Sequence, residues 1–163
     1  MRDDISNGID GGLPRRQGSP PETTDTNPHS QLTQNPDQRT YEALADQLFT
    51  LPDASERPSR ISVPGARALV LDENIDPGPQ EAFMTGREFC HLHPPTDGSL
   101  HMALPTDVAD TAVQRGWAEP HPMAERGVVP ATVVMVYAPR DADERAVVFA
   151  LVRESYRYAG GRE

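Results

Sequence analysis

Four histidines, His91, His93, His101 and His121, fall within 31 residues, and three of them lie in the stretch Gly86 to Leu104, GREFCHLHPPTDGSLHMAL. Imidazole accepts protons with an ordinary pKa of about 6.5 and is the commonest side-chain metal ligand, so its spacing bears directly on chemistry. Histidines at i and i+2 of a strand share one face, and a third can join them from the neighbouring strand. One chemistry is a divalent metal such as zinc or iron held by His91, His93 and His101, with His121 or Glu119 completing the shell. The other requires no cofactor. In it His91 or His93 removes a phenolic or enolic proton, Arg140 stabilises the anion, and Trp117, Glu119, His121 and Tyr137 bind the substrate, the two aromatics by stacking on its flat face. The bland alternative is a half-polar sheet face whose histidines bond to backbone and to one another, with Trp117 filling the core and Arg140 serving as a loop cation beside a helix cap.

Other chemistries are excluded or weakened. All fifteen basic residues are arginines, which rules out a lysine Schiff base, pyridoxal phosphate on lysine, and a Walker-type phosphate loop. Cys90 is the single cysteine, so neither an intrachain disulfide nor a zinc ribbon can form. Strand alternation sends Cys90 to the apolar face, away from His91 and His93, which suits packing better than nucleophilic attack. No G-x-S-x-G elbow is present. The net charge of −10 argues against nucleic acid or an anionic membrane as partner and leaves a small-molecule ligand. With no signal-peptide pattern and no run of about 20 apolar residues, a soluble cytoplasmic protein is expected.

The elements that must position these residues follow from periodicity and turn chemistry. Residues 1–38 contain five prolines, four glycines and only five apolar side chains, the composition of a disordered tail in which His29 is solvated. A single domain over residues 39–160 is expected to follow. Thr40 reads as an N-cap for a helix carrying Tyr41, Leu44, Ala45 and Leu48 on one face. Arg60 to Val63 and Arg67 to Leu71 read as strands. The acidic loop from Asp72 resembles a calcium loop but has Pro77 and Phe83 where glycine and glutamate are needed. In the histidine stretch, a three-residue loop Thr96-Asp97-Gly98 pairs Pro95 with Ser99, Leu92 with Met102, Cys90 with Leu104, His93 with His101 and His91 with Ala103. That register puts His91, His93 and His101 on one face. Thr106 caps a second helix that stops at Gly116, residues 116–122 suit an edge strand or returning loop, and Thr132 to Tyr137 reads as a strand. Asp141 and Glu144 have capping-box spacing for a last helix closed by Gly160-Gly161. The order implies an α+β fold, a mostly antiparallel sheet of about five strands with helices packed on one side.

Glu88-Phe89-Cys90-His91-Leu92-His93-Pro94, Gly98-Ser99-Leu100-His101, Leu104-Pro105, Gly116-Trp117-Ala118-Glu119-Pro120-His121-Pro122 and Val136-Tyr137-Ala138-Pro139-Arg140 together resemble the luciferase-like domain family. The family is named for fungal luciferases and has many small bacterial members. The resemblance covers roughly residues 40–160. It implies oxidation of a hydroxylated pyrone by molecular oxygen without a dedicated organic cofactor, and its motifs carry His91, His93, His101, Trp117, His121, Tyr137 and Arg140. The hydrophobic N-terminal segment of fungal luciferases has no counterpart in these residues, so membrane association is not among the expectations.

Overall fold

The computed structural model describes residues 12–162. Six strands form one sheet in the order β1-β2-β3-β4-β6-β5, with every neighbouring pair antiparallel. They are β1 (Ala54–Pro58), β2 (Arg67–Leu71), β3 (Glu88–Leu92), β4 (Leu100–Ala103), β5 (Ala118–Pro120) and β6 (Val133–Val136). The helices are α1 (Gln38–Leu48), α2 (Thr106–Gln114), the single turn α3 (Pro122–Glu125) and α4 (Ala142–Ala159). The fold is α+β, and no helix among the described residues is long and apolar enough to cross a membrane.

Strand alternation divides the sheet into two unlike faces. Leu69, Cys90, Met102 and Val134 form one cross-strand row, and Leu92, Leu100, Val136 and Ala118 form the next. Both rows belong to the main core, which α1 completes with Tyr41, Leu44 and Leu48 and α4 with Val148, Leu151, Val152 and Tyr156. Helix α4 ends where Gly160 takes the left-handed conformation at φ +117°, which glycine reaches without a Cβ clash. The opposite face carries the row Ala68, His91, His101, Met135 and Glu119, running through five strands.

Several elements differ from the sequence reading. The helix cap is Asp37, whose carboxylate accepts from the Thr40 backbone N–H, so Thr40 already lies inside the helix. Helix α2 has Pro105 at its N-cap, without a side-chain cap from Thr106. The first strand is Ala54–Pro58 and residues 60–63 are irregular. A polar edge strand of sequence ASERP has no apolar alternation to betray it, and its charges and terminal proline suit an unpaired outer edge.

The hairpin register also differs. Cys90 pairs with Met102, His91 with His101 and Leu92 with Leu100, two residues away from the expected pairing. The ladder stops at His93, whose N–H donates to Ser99 O, because Pro94 and Pro95 have no N–H to continue it. Residues 94–98 form the loop, with Pro94 O accepting from both Asp97 and Gly98 and with Gly98 at φ +81°. A shift of two preserves the faces, so the three histidines remain together.

The largest difference concerns the N-terminal segment. Residues 1–11 lie outside the described residues, but from Leu13 onward the chain packs along the domain. Leu13 is 1% exposed and His29 3%, so His29 is not solvated. The segment is held by side chains and backbone of later elements rather than by its own apolar content. The Trp117 indole N–H donates to Pro14 O at 2.6 Å, Arg115 to Leu13 O at 2.6 Å, and Gln31 Oε1 accepts from the Ala138 backbone N–H at 2.9 Å. Leu13→Ala is expected to lower stability by about 2–3 kcal/mol in urea denaturation, as for a truncated core leucine. A change below about 0.5 kcal/mol, typical of a surface position, would contradict this packing.

Candidate functional site

The site grows from a bulge in β3. Leu69 pairs with Cys90 but Val70 pairs with Glu88, so Phe89 is an extra residue in the ladder. In a regular strand, residues three apart face opposite ways. The bulge instead brings Glu88 to the face of His91, and Glu88 Oε2 lies 2.8 Å from His91 Nδ1. Glu88 also accepts from the Ser59 hydroxyl at 2.7 Å and the Arg60 N–H at 3.1 Å. Burial pushes the Glu88 carboxyl upward, and the hydrogen bonds from His91, Ser59 and Arg60 outweigh it, so the group is held below its ordinary range.

His93 leaves the end of β3 toward the hairpin loop. Its Nδ1 lies 2.9 Å from Ser99 Oγ and 3.2 Å from Asp97 Oδ2, and the Ser99 hydroxyl donates to Asp97 Oδ1. Asp97 is raised by burial but lowered further by bonds from His93 and Ser99. His101 stands between two other imidazoles. His91 Nε2 is 3.1 Å from its Nδ1, and His29 Nδ1 is 2.9 Å from its Nε2. Burial, then repulsion from the surrounding histidines, drives His101 well below the ordinary histidine range.

His29 reaches this place from the loop between Thr24 and Ser30, and its Nε2 lies 2.6 Å from Glu119 Oε2. Glu119 also accepts from the Thr23 and Tyr137 hydroxyls, each at 2.9 Å. These bonds overcome the upward push of burial and hold it ionised. His121 caps α3, where its Nδ1 accepts from the Met123 N–H at 2.9 Å, and its ring centre is 4.4 Å from that of His101. Burial, reinforced by His29, His91 and His93, brings it down to about 4.

All five histidines line a cavity of about 230 Å³. The rest of its lining is mostly apolar, with Ile61, Val63, Met84, Met123 and Val129, beside the polar Asn27 and Ser62. Among the described residues, two groups have ligand atoms close enough for a metal ion, His91 with His93 and His101, and His29 with His101 and His121.

The remaining candidates lie elsewhere. Trp117 is buried with its N–H on Pro14 O and does not line the cavity. Tyr137 and Glu119 sit behind His29, with the Arg16 guanidinium 5.3 Å from the Tyr137 ring centre. Arg140 is outside the cavity too, bonded to Glu144 at 2.6 Å and to Gln17 O at 2.7 Å. The sequence reading places His29 in a solvated tail and so leaves it out of the site, whereas it is buried against His101. It meets His101 across 72 residues, and no local pattern around it marks the contact.

The positions separate two variants. Arg140→Ala, which removes a partly exposed ion pair, is expected to cost no more than about 1 kcal/mol and to leave ligand affinity in the cavity unchanged. His93→Ala, which removes a wall of the cavity, is expected to weaken ligand binding by about tenfold or more, the loss of one hydrogen bond. Equal effects of both on affinity, measured by calorimetry, would contradict this placement.

Residues 86–155 match the Luciferase domain family model. The chain is 32% identical over 120 residues to luciferases of Armillaria gallica and Armillaria mellea, covering 72% of this chain and 40% of each relative. It is 37% identical over 76 residues to a luciferase of Neonothopanus nambi, covering 45% of this chain and 28% of the relative. The chain thus spans about two-fifths or less of the length of these curated relatives. No solved structure matches significantly.

Proposed function

Because this chain carries a luciferase-like domain, we propose that its histidine cavity binds a small, flat, hydroxylated organic molecule of aromatic or pyrone type and oxidises it with molecular oxygen. The observation that carries this reading is a cavity of about 230 Å³ lined by five buried imidazoles and by mostly apolar side chains. That volume is below the roughly 300 Å³ at which drug-sized ligand pockets begin, which suits one or two fused rings. The apolar side receives the carbon skeleton and the imidazole side receives its oxygen atoms.

The hydrogen-bond pattern supports a division of labour. A carboxylate accepts only, so His93 carries its proton on Nδ1, toward Asp97 and Ser99, and presents the Nε2 lone pair to the cavity. Among the described residues that Nε2 has no partner, and Asp97 is placed to stabilise the imidazolium that proton uptake would form. His91, similarly backed by Glu88, presents its own Nε2 inward. His121 is the complement: Nδ1 accepts from Met123, so neutral His121 carries its hydrogen on Nε2 and can donate to an anionic ligand oxygen. That donor takes the part expected of Arg140. Ionising the ligand raises its electron density, and oxygen is the acceptor of the electrons.

Oxygen uptake with a panel of hydroxypyrones and polyphenols tests the reading. Turnover is expected with at least one member, and His93→Ala is expected to slow it by about 10²-fold or more, the usual contribution of a general base. Tight binding of a panel member with no oxygen uptake would make the cavity a binding site only.

A further inference from the structure

The histidine wall contains a hydrogen-bond conflict that three neutral imidazoles cannot resolve. Glu88, His91, His101, His29 and Glu119 form a continuous series with four contacts of 2.8, 3.1, 2.9 and 2.6 Å. Each contact needs one hydrogen. The carboxylates are acceptors, so His91 Nδ1 and His29 Nε2 donate outward, and His91 Nε2 and His29 Nδ1 both turn lone pairs toward His101. Neutral His101 has one N–H and can satisfy only one of them. Protonating His101 would satisfy both, but only by burying a cation that has imidazole nitrogens, and no carboxylate, against its two ring nitrogens. A cation seated between lone pairs removes the conflict without burying an imidazolium.

We propose that His91, His93 and His101 bind one divalent first-row transition-metal ion, zinc or iron(II) by donor type, through His91 Nε2, His93 Nε2 and His101 Nδ1. Every hydrogen then has a place. His91 Nδ1–H donates to Glu88, His93 Nδ1–H to Asp97 or Ser99, and His101 Nε2–H to His29 Nδ1, while His29 Nε2–H donates to Glu119. Each ligand ring therefore has an outer acceptor fixing its tautomer, the arrangement that orients metal-bound histidines. The 3.1 Å between His91 Nε2 and His101 Nδ1 is close to the separation of about 3.3 Å for two nitrogens bound tetrahedrally at 2.0–2.1 Å.

The second group, His29 with His101 and His121, fails the same test. His121 would have to coordinate through Nε2, but its Nδ1 is committed to accepting the Met123 N–H, which leaves the hydrogen of a neutral ring on Nε2. Since all three proposed ligands line the cavity, the ion keeps a position open to it. The inference uses the same cavity as the oxidation reading and deepens it without depending on it: with the ion present, His93 acts as a ligand, and the ionised oxygen of the substrate meets a cation in place of a proton acceptor.

The test is metal analysis of the full chain purified without chelator, followed by titration of the stripped chain with zinc and cobalt(II), read by calorimetry, cobalt visible absorption and the thermal midpoint. About one ion per chain, a cobalt ligand-field band and a raised midpoint are expected. His93→Gln and His101→Gln are expected to weaken binding by more than about 100-fold and Glu88→Gln by about 10- to 100-fold, whereas His121→Gln stays within about threefold. The unmodified chain decides the matter even if a variant fails to fold. Less than about a tenth of an equivalent of zinc, iron, manganese, cobalt, nickel or copper, with no cobalt band on titration, would overturn the site. A loss in His121→Gln equal to that in His93→Gln would overturn the choice of triad. Oxygen uptake by the stripped chain is scored separately: turnover without metal keeps the oxidation reading alive when the metal site fails.

Discussion

His101 is buried with a histidine nitrogen against each of its own ring nitrogens, so its hydrogen-bond state constrains everything around it. A buried polar atom without a partner costs roughly 1–3 kcal/mol, and an unpaired buried charge costs more. The surrounding chain is arranged to keep both penalties small. Carboxylates stand behind His91, His93 and His29, each further anchored by hydroxyl or backbone donors, so the negative charges are fixed at the periphery and the lone pairs are turned inward.

Two backbone devices make that arrangement reachable from an ordinary antiparallel sheet. The bulge at Phe89 converts an odd spacing into a same-face pair, without which Glu88 would point into the apolar core formed with α4. The segment from Leu13 to Pro36 then covers the polar face and delivers His29 and Gln31 to it, anchored on Trp117, Arg115 and Ala138. Trp117 thus contributes to the site by holding the segment that carries His29, at a distance from the cavity itself.

The division of the sheet explains how so small a domain can bury five histidines. One face, packed by α1 and α4, supplies the apolar burial that stabilises the fold. The other is free to carry groups that contribute chemistry at some cost in desolvation. Cys90 illustrates the separation: it neighbours His91 in sequence, yet it is fully buried on the apolar side and burial pushes its thiol well above the ordinary range. The match to the Luciferase domain family model, residues 86–155, takes in His91, His93 and His101.

The sequence by itself determined which residues share a face and which elements exist where the period is strong. Alternation in β3 and β4 placed His91, His93 and His101 together, and the result survived a two-residue error in register because side chains repeat every second residue. The Asp141 cap of α4 and its stop at Gly160 were equally legible, being local properties. Tertiary structure alone decided the partners. The bulge, the polar edge strand β1, the seating of His29 beside His101 and the withdrawal of Trp117 and Arg140 from the cavity all depend on contacts between distant residues, many of them polar. Such contacts are made by single hydrogen-bonding atoms, which leave no periodic trace in the chain, whereas burial of a face must be written along it.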